Sequence, residues 1–295
     1  MSLDFTLEKY AELCATIRTL SCPVMTVKQF LEAGQPGDFA LILRHDVDRS
    51  LQSAVRMAEL EAAHGLHATY YLRTTRAVFR APEITYLSRL GHEVGYHYEV
   101  LTKARGNKQR AIALFAQELE QFRRLVPVDT ISMHGSPLMP WNNLDIWQTY
   151  DFKDYGLLGE AYLSINYQNV YYFTDTGRSW DAERYNLRDR VASRKPPRRI
   201  HTTDDLISFL AETRDSPVLI NTHPNRWAAN RATWLISAAS DWVINRAKWV
   251  ISLIYMGLRS KTKGVEIETY ARESRFYFIN CPDRNKNTGG GTGRG

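Results

Sequence analysis

The chain has 295 residues, of which 44% are hydrophobic, 12% aromatic and 24% charged, a balance that excludes disordered, collagen-like and low-complexity readings. Its 38 basic and 32 acidic residues leave a net charge of +6. One stretch carries that excess: Arg226, Arg231, Arg246, Lys248, Arg259, Lys261 and Lys263 stand against the lone acid Asp241. The remainder is neutral, which argues against a protein that coats nucleic acid.

Cys14, Cys22 and Cys281 form no CxxC pair and no metal-ligand spacing, so a reduced compartment without disulfides is expected. The opening MSLDFTLEKYAELC sets acids where a secretory signal has a basic and then an apolar stretch. The uncharged run Trp249 to Leu258 falls far short of the roughly 20 residues that span a bilayer. A cytoplasmic setting is the expectation.

In chain order, Thr6 opens a helix, and Thr26 opens a second that Gly34 stops. Phe39 to Arg44 is a continuous apolar run of the kind a buried parallel strand shows, and it ends in His45-Asp46-Val47-Asp48. Ser50 caps a helix to Ala63, with Ala54, Met57 and Leu60 at helical spacing. A strand follows at His67 to Arg73. Pro82 begins a helix that Gly91 ends, and Glu93 to His97 is again strand. A long helix covers Lys108 to Leu125, and Thr130 to His134 is the next strand. The segment 140–200 is aromatic and irregular, and includes the run Val170 to Phe173. Thr202 with Asp205 caps a helix to Ala211, and Pro217 to Thr222 is a last buried strand, ending in His223-Pro224. Repeated strand–helix alternation predicts an α/β fold, a parallel sheet or barrel with helices outside.

In such folds the active site lies beyond the carboxyl ends of the strands. Polar residues gather there: His45, Asp46 and Asp48; His97 and Glu99; His134; Asp175 and Arg178; His223. Imidazoles mixed with carboxylates suit a divalent metal such as zinc with a position left for water.

The ordered motifs HDVD, HATYYL, GHEVGYH, SMHGSP and THPNRW resemble the polysaccharide deacetylase family of metal-dependent carbohydrate de-N-acetylases. They are most similar to a divergent branch with an RHDVD opening, associated with bacterial surface-polysaccharide biosynthesis. The resemblance covers about residues 38–227. It implies a distorted seven- or eight-stranded (β/α) barrel over 1–227, with a helical lead-in at 1–36. A basic helical appendage at 228–280 and a polar tail at 281–295 would follow.

The family's motifs suggest roles. Asp46 matches the aspartate that binds metal, and His97 the first metal histidine. Leu101 stands where the second histidine is usual, so His134 is the replacement ligand, with Glu99 behind it. His45 occupies the position of the usual catalytic base, with Asp48 able to take that role or to join the metal. His223 matches the histidine that protonates the leaving amine. Asp175, Arg178, Trp180 and Trp227, with Glu99, are expected to line the substrate pocket. The implied activity is removal of an N-acetyl or related acyl group from an amino sugar, nucleotide-linked or lipid-linked, on the way to a surface polysaccharide such as O-antigen. The rival, motivated by Leu101, is a metal-free carbohydrate-binding protein on the same barrel.

After the barrel, Ala239, Val243, Ala247, Val250, Ile254 and Leu258 share one helical face, with Trp242, Trp249 and Leu253 beside it. Besides packing on the barrel, a basic helix of this kind over 231–258 suits peripheral contact with an anionic membrane, the inner membrane in this setting.

Overall fold

A computed structural model of the chain describes residues 3–136, 139–181, 191–235 and 238–239. The amphipathic reading of 231–258 therefore lies almost wholly outside the described residues, as does the tail at 281–295. No helix among the described residues is long and apolar enough to cross a membrane.

Eight strands form one parallel sheet: β1 (Val24–Met25), β2 (Leu41–Val47), β3 (Thr69–Leu72), β4 (Glu93–Tyr98), β5 (Thr130–Met133), β6 (Gly159–Glu160), β7 (Tyr171–Thr174) and β8 (Val218–Thr222). Their order is β6-β5-β4-β3-β2-β8-β7, with β1 pairing β2. The sheet curls into a half-barrel, and no pairing among the described residues joins β6 to β7. The expected α/β barrel class is thus present. The strands read from sequence recur within a few residues of their expected places. The two-residue strands β1 and β6 were not among them, because so short a segment carries no hydrophobic period.

Helices α1 (Leu7–Thr19), α2 (Val27–Glu32), α3 (Leu51–Ala63), α4 (Ala81–Arg89), α5 (Val100–Lys103), α6 (Lys108–Arg123) and α7 (Thr203–Glu212) flank the sheet. Each start expected from a capping residue is observed. The Thr6 hydroxyl accepts from Lys9 N, that of Ser50 from Ser53 N, and Thr26 and Thr202 close capping boxes with Gln29 and Asp205. Such caps satisfy amide groups that have no partner inside the helix.

The strand period of two divides the molecule. On β2, Leu41, Leu43 and Val47 pack with the helices in one core, joined there by Tyr70, Leu72, Tyr96, Ile131 and Ile220. Ile42 belongs to a second core on the opposite face, with Tyr71, Leu219, Val27 and Phe30. Arg44 and Asp46, two and four residues after Ile42, share its inner face.

Gly95 of β4 pairs Tyr71 of β3 with no room for a side chain. A methyl group there would overlap the Tyr71 ring and lie 3.0 Å from the Thr130 carbonyl oxygen. Both neighbours are buried, and one is backbone, so relief requires strands to shift. Gly95→Ala is expected to lower stability by about 1–3 kcal/mol, read as a lower urea midpoint at unchanged m-value.

Candidate active site

Two carboxylates leave the end of β2 on the same face. Asp46 is bound by its own strand: Arg44 donates from Nε to Oδ1 at 3.0 Å and from Nη2 to Oδ2 at 2.9 Å. Asn221 on β8 donates to Oδ2 at 3.1 Å. Arg44 is fully buried, also donates to Ser132 Oγ at 2.6 Å, and lies over the rings of Tyr162 and Tyr71. Burial opposes ionisation of Asp46. The charges of Arg44, His97 and His223 outweigh it and hold the carboxyl below the usual aspartate range.

Asp48 meets the histidines. Its Oδ1 lies 3.5 Å from His97 Nε2 and 3.5 Å from His134 Nε2. The same atom is buried without a hydrogen-bond partner. Burial again opposes ionisation, but the approach of His97 and the charges of His134 and His223 hold Asp48 well below its ordinary value. The aspartate set against His97 and His134 is therefore Asp48, whereas Asp46, expected there from the motif, is turned to Arg44 and Asn221.

The tautomers follow from the other ring nitrogens. His97 Nδ1 lies 3.0 Å from the Ser132 carbonyl oxygen, which can only accept, so Nδ1 carries hydrogen. His134 Nδ1 faces Ser136 Oγ at 3.0 Å and Glu99 Oε2 at 3.3 Å. In the neutral rings both Nε2 atoms then present lone pairs to an ionised Asp48 oxygen. Two lone pairs facing one buried carboxylate oxygen repel it unless positive charge stands between them. Consistently, although burial opposes it, Asp46 and Asp48 raise the affinity of His97 for a proton.

The donor chemistry fits a divalent cation. Zinc binds imidazole nitrogen and carboxylate oxygen at roughly 2.0–2.2 Å, so neighbouring ligands of a tetrahedral ion stand about 3.3–3.6 Å apart. The set is nonetheless not closed into a finished cage: among the described residues no group of three or more His, Cys, Asp or Glu side chains is drawn together as a metal-binding cluster.

His223, just past β8, forms the third part. Its Nδ1 lies 2.7 Å from Asp175 Oδ1, and its backbone N–H donates to Asp175 Oδ2 at 2.8 Å. Arg226 Nη1 and Trp227 Nε1 donate to the same carboxylate at 2.7 and 3.0 Å. Burial works against the ionised form, yet Arg226 and His223 carry Asp175 down to about 2.

Several expected site residues lie elsewhere. His45 faces the helices, as the parity of β2 requires. Its Nε2 contacts Glu61 Oε1 of α3 at 2.7 Å and its Nδ1 contacts Thr222 Oγ1 at 2.5 Å. Tyr10 and Tyr70 donate to the same Glu61. A base at His45 is thereby corrected, since the sheet stands between it and Asp46. Trp180 and Trp227 are 4% and 2% exposed and pack with Phe5. Asp175 is fully buried beneath His223. These three are packed in the interior, where they support the neighbouring side chains. Arg178 lies over the rings of Phe5 and Trp234. Glu99 is buried and held by Arg73. Leu101 is buried in the helix-side core.

Sequence reasoning passed over Arg44, Asn221, Arg73 and Arg226. A signal existed for Arg44, the lone charge in Leu41-Ile-Leu-Arg44, and for Arg226 within His223-Pro-Asn-Arg226. Nothing in the sequence marked Asn221 or Arg73.

Searched against protein-family models and curated proteins, the chain finds no match in either. Among solved structures it is similar to a mutant of the peptidoglycan deacetylase PdaC from Bacillus subtilis, at 11% identity and a TM-score of 0.35, over 81% of this chain and 96% of that one.

The Asp175 cluster gives a pH-dependent expectation. Its folded pKa is depressed from the ordinary 3.8 to about 2, so it contributes stability above pH 4 that is lost as pH falls through 2. That shift corresponds to about 2 kcal/mol. Urea unfolding at pH 7 should show Asp175→Asn to be less stable than wild type by at least this amount, and the gap should narrow by about 1 kcal/mol at pH 3.

Proposed function

We propose that the protein is a metal-dependent hydrolase that removes an N-acetyl or related acyl group from an amino sugar. The observation that carries the reading is the buried meeting of Asp48 Oδ1 with the Nε2 atoms of His97 and His134. The motif order from HDVD to THPNRW supports the reaction class, and supports an intermediate of surface-polysaccharide synthesis, nucleotide-linked or lipid-linked, as substrate.

Asp48, His97 and His134 would hold the cation. Bound there, a divalent ion would supply a lowered pKa for water and a polarised amide carbonyl. Asp46 acts as the base. Arg44 and Asn221 fix its carboxylate and keep it ionised, and Oδ1, which accepts only one of these bonds, retains a lone pair to accept a proton from the attacking water. His223 acts as the acid. In its doubly protonated form, with Nδ1–H anchored on Asp175, it can donate the Nε2 proton to the departing nitrogen, which leaves poorly unless protonated, and is left neutral with its hydrogen on Nδ1. The roles drawn from the motif for the first two polar positions thus move along the strand: base to Asp46, ligand to Asp48.

Elemental analysis with an acetate-release assay on N-acetylated amino sugars separates the possibilities. Wild type should hold close to one transition metal ion per chain, and Asp48→Asn and His97→Ala should lose it. Asp46→Asn should keep the ion while kcat falls about 10²–10⁴-fold, the range for loss of a general base. Loss of metal in Asp46→Asn with retention in Asp48→Asn would restore the original assignment. No metal in wild type, even after incubation with excess zinc, would replace the reading with the carbohydrate-binding alternative.

A further inference from the structure

Glu99 has no part in the chemistry above, although it is buried beside a proposed ligand. It directly follows β4 and turns into α5 at Val100. Its Oε2 is 3.3 Å from His134 Nδ1. Arg73, just past β3, grips both oxygens, with Nη2 to Oε2 at 2.6 Å and Nε to Oε1 at 3.3 Å. The same guanidinium donates from Nη1 to the Asp48 backbone oxygen at 3.2 Å. Lys103 Nζ approaches Oε1 at 3.6 Å and is itself held by Glu118 at 2.9 Å and by Thr74 at 2.6 Å. The ends of β2, β3 and β4 and the loop after β5 are therefore joined through one carboxylate.

We infer that Glu99, locked by Arg73, is the positioning residue that fixes His134 with Nδ1 protonated and Nε2 turned toward Asp48. This rests on the reading of Asp48, His97 and His134 as a cation site. The two histidines are secured differently. His97 sits on β4, and its Nδ1 bonds a carbonyl of the neighbouring strand, so regular sheet structure orients it. His134 lies one residue beyond β5; its backbone N–H still donates to Tyr98 O of β4, but its ring Nδ1 meets only side chains. A carboxylate on a ligating imidazole both selects the tautomer and makes the opposite nitrogen more basic. Ser136 Oγ, at 3.0 Å from the same Nδ1, can donate as readily as it accepts, so it cannot select a tautomer. An ionised carboxylate can only accept.

The test uses the full chain, zinc alone as probe, and two readouts. Long-range ¹H–¹⁵N spectra of the zinc-free protein report the His134 tautomer, and competition with a chromophoric chelator reports the zinc Kd. Wild type should show His134 protonated at Nδ1. Glu99→Gln should lose that preference and bind zinc about 10–100-fold more weakly, the range for loss of such a partner. Ser136→Ala should leave the tautomer unchanged. A Glu99→Gln chain with the wild-type tautomer and a Kd within threefold would overturn the inference while leaving the cation site standing. Wild type without zinc affinity would overturn both. The wild-type spectrum tests the inference even should the variant not fold, because His134 protonated at Nε2 refutes it directly.

Discussion

A guanidinium enclosed by protein is tolerable only beside a carboxylate, and Arg44 is fully enclosed at the centre of β2. Its partner must lie on the same face of the strand, which makes it Asp46, two residues on. That pairing gives Asp46 an ionised carboxylate in a fixed orientation. It also leaves Asp48, the next residue of the same parity, to face His97 and His134. The division of work between the two aspartates is thus a consequence of one buried ion pair within a single strand.

The same alternation decides which histidines belong to the site. His97 is on the inner face of β4, between the outward Tyr96 and Tyr98, while His45 is on the outer face of β2. His134 and His223 follow the last residues of β5 and β8 and keep the inner parity of Ser132 and Asn221, two residues before them. Each is then held by a carboxylate carrying an arginine: Glu99 with Arg73, and Asp175 with Arg226. The strand chooses the face, and a buried ion pair then sets the ring on it.

How far the sequence reached can be judged from these residues. The helix starts were legible because Thr6, Thr26, Ser50 and Thr202 carry capping chemistry in their own side chains. The strands were legible as apolar runs, and five of the strand ends were recognised as polar. Inside a strand buried on both faces, though, the inward side cannot be told from hydrophobicity, since Leu41, Ile42 and Leu43 read alike. His45 was placed in the site by its position in the resembled motif, although the spacing of HDVD already puts both aspartates on the face opposite to it. The tryptophans failed differently. Trp180 and Trp227 suit sugar stacking and core packing equally by type, and only their contacts with Phe5 and one another decide. Arg73 and Glu99 meet across strands 26 positions apart, a pairing that local pattern does not encode.

The knot around His45 also constrains what residue can stand there. In a motif with two adjacent aspartates the first would occupy position 45, and here that position faces Glu61, already surrounded by Tyr10, Tyr70 and His92. Placing an acid there alone would set two carboxylates against each other in a dry layer, where neither charge is solvated. The outward-facing His45 and the acid on α3 are therefore coupled. An acid at position 45 could be accommodated only with a different partner on α3, so a change in the strand requires a change in the helix.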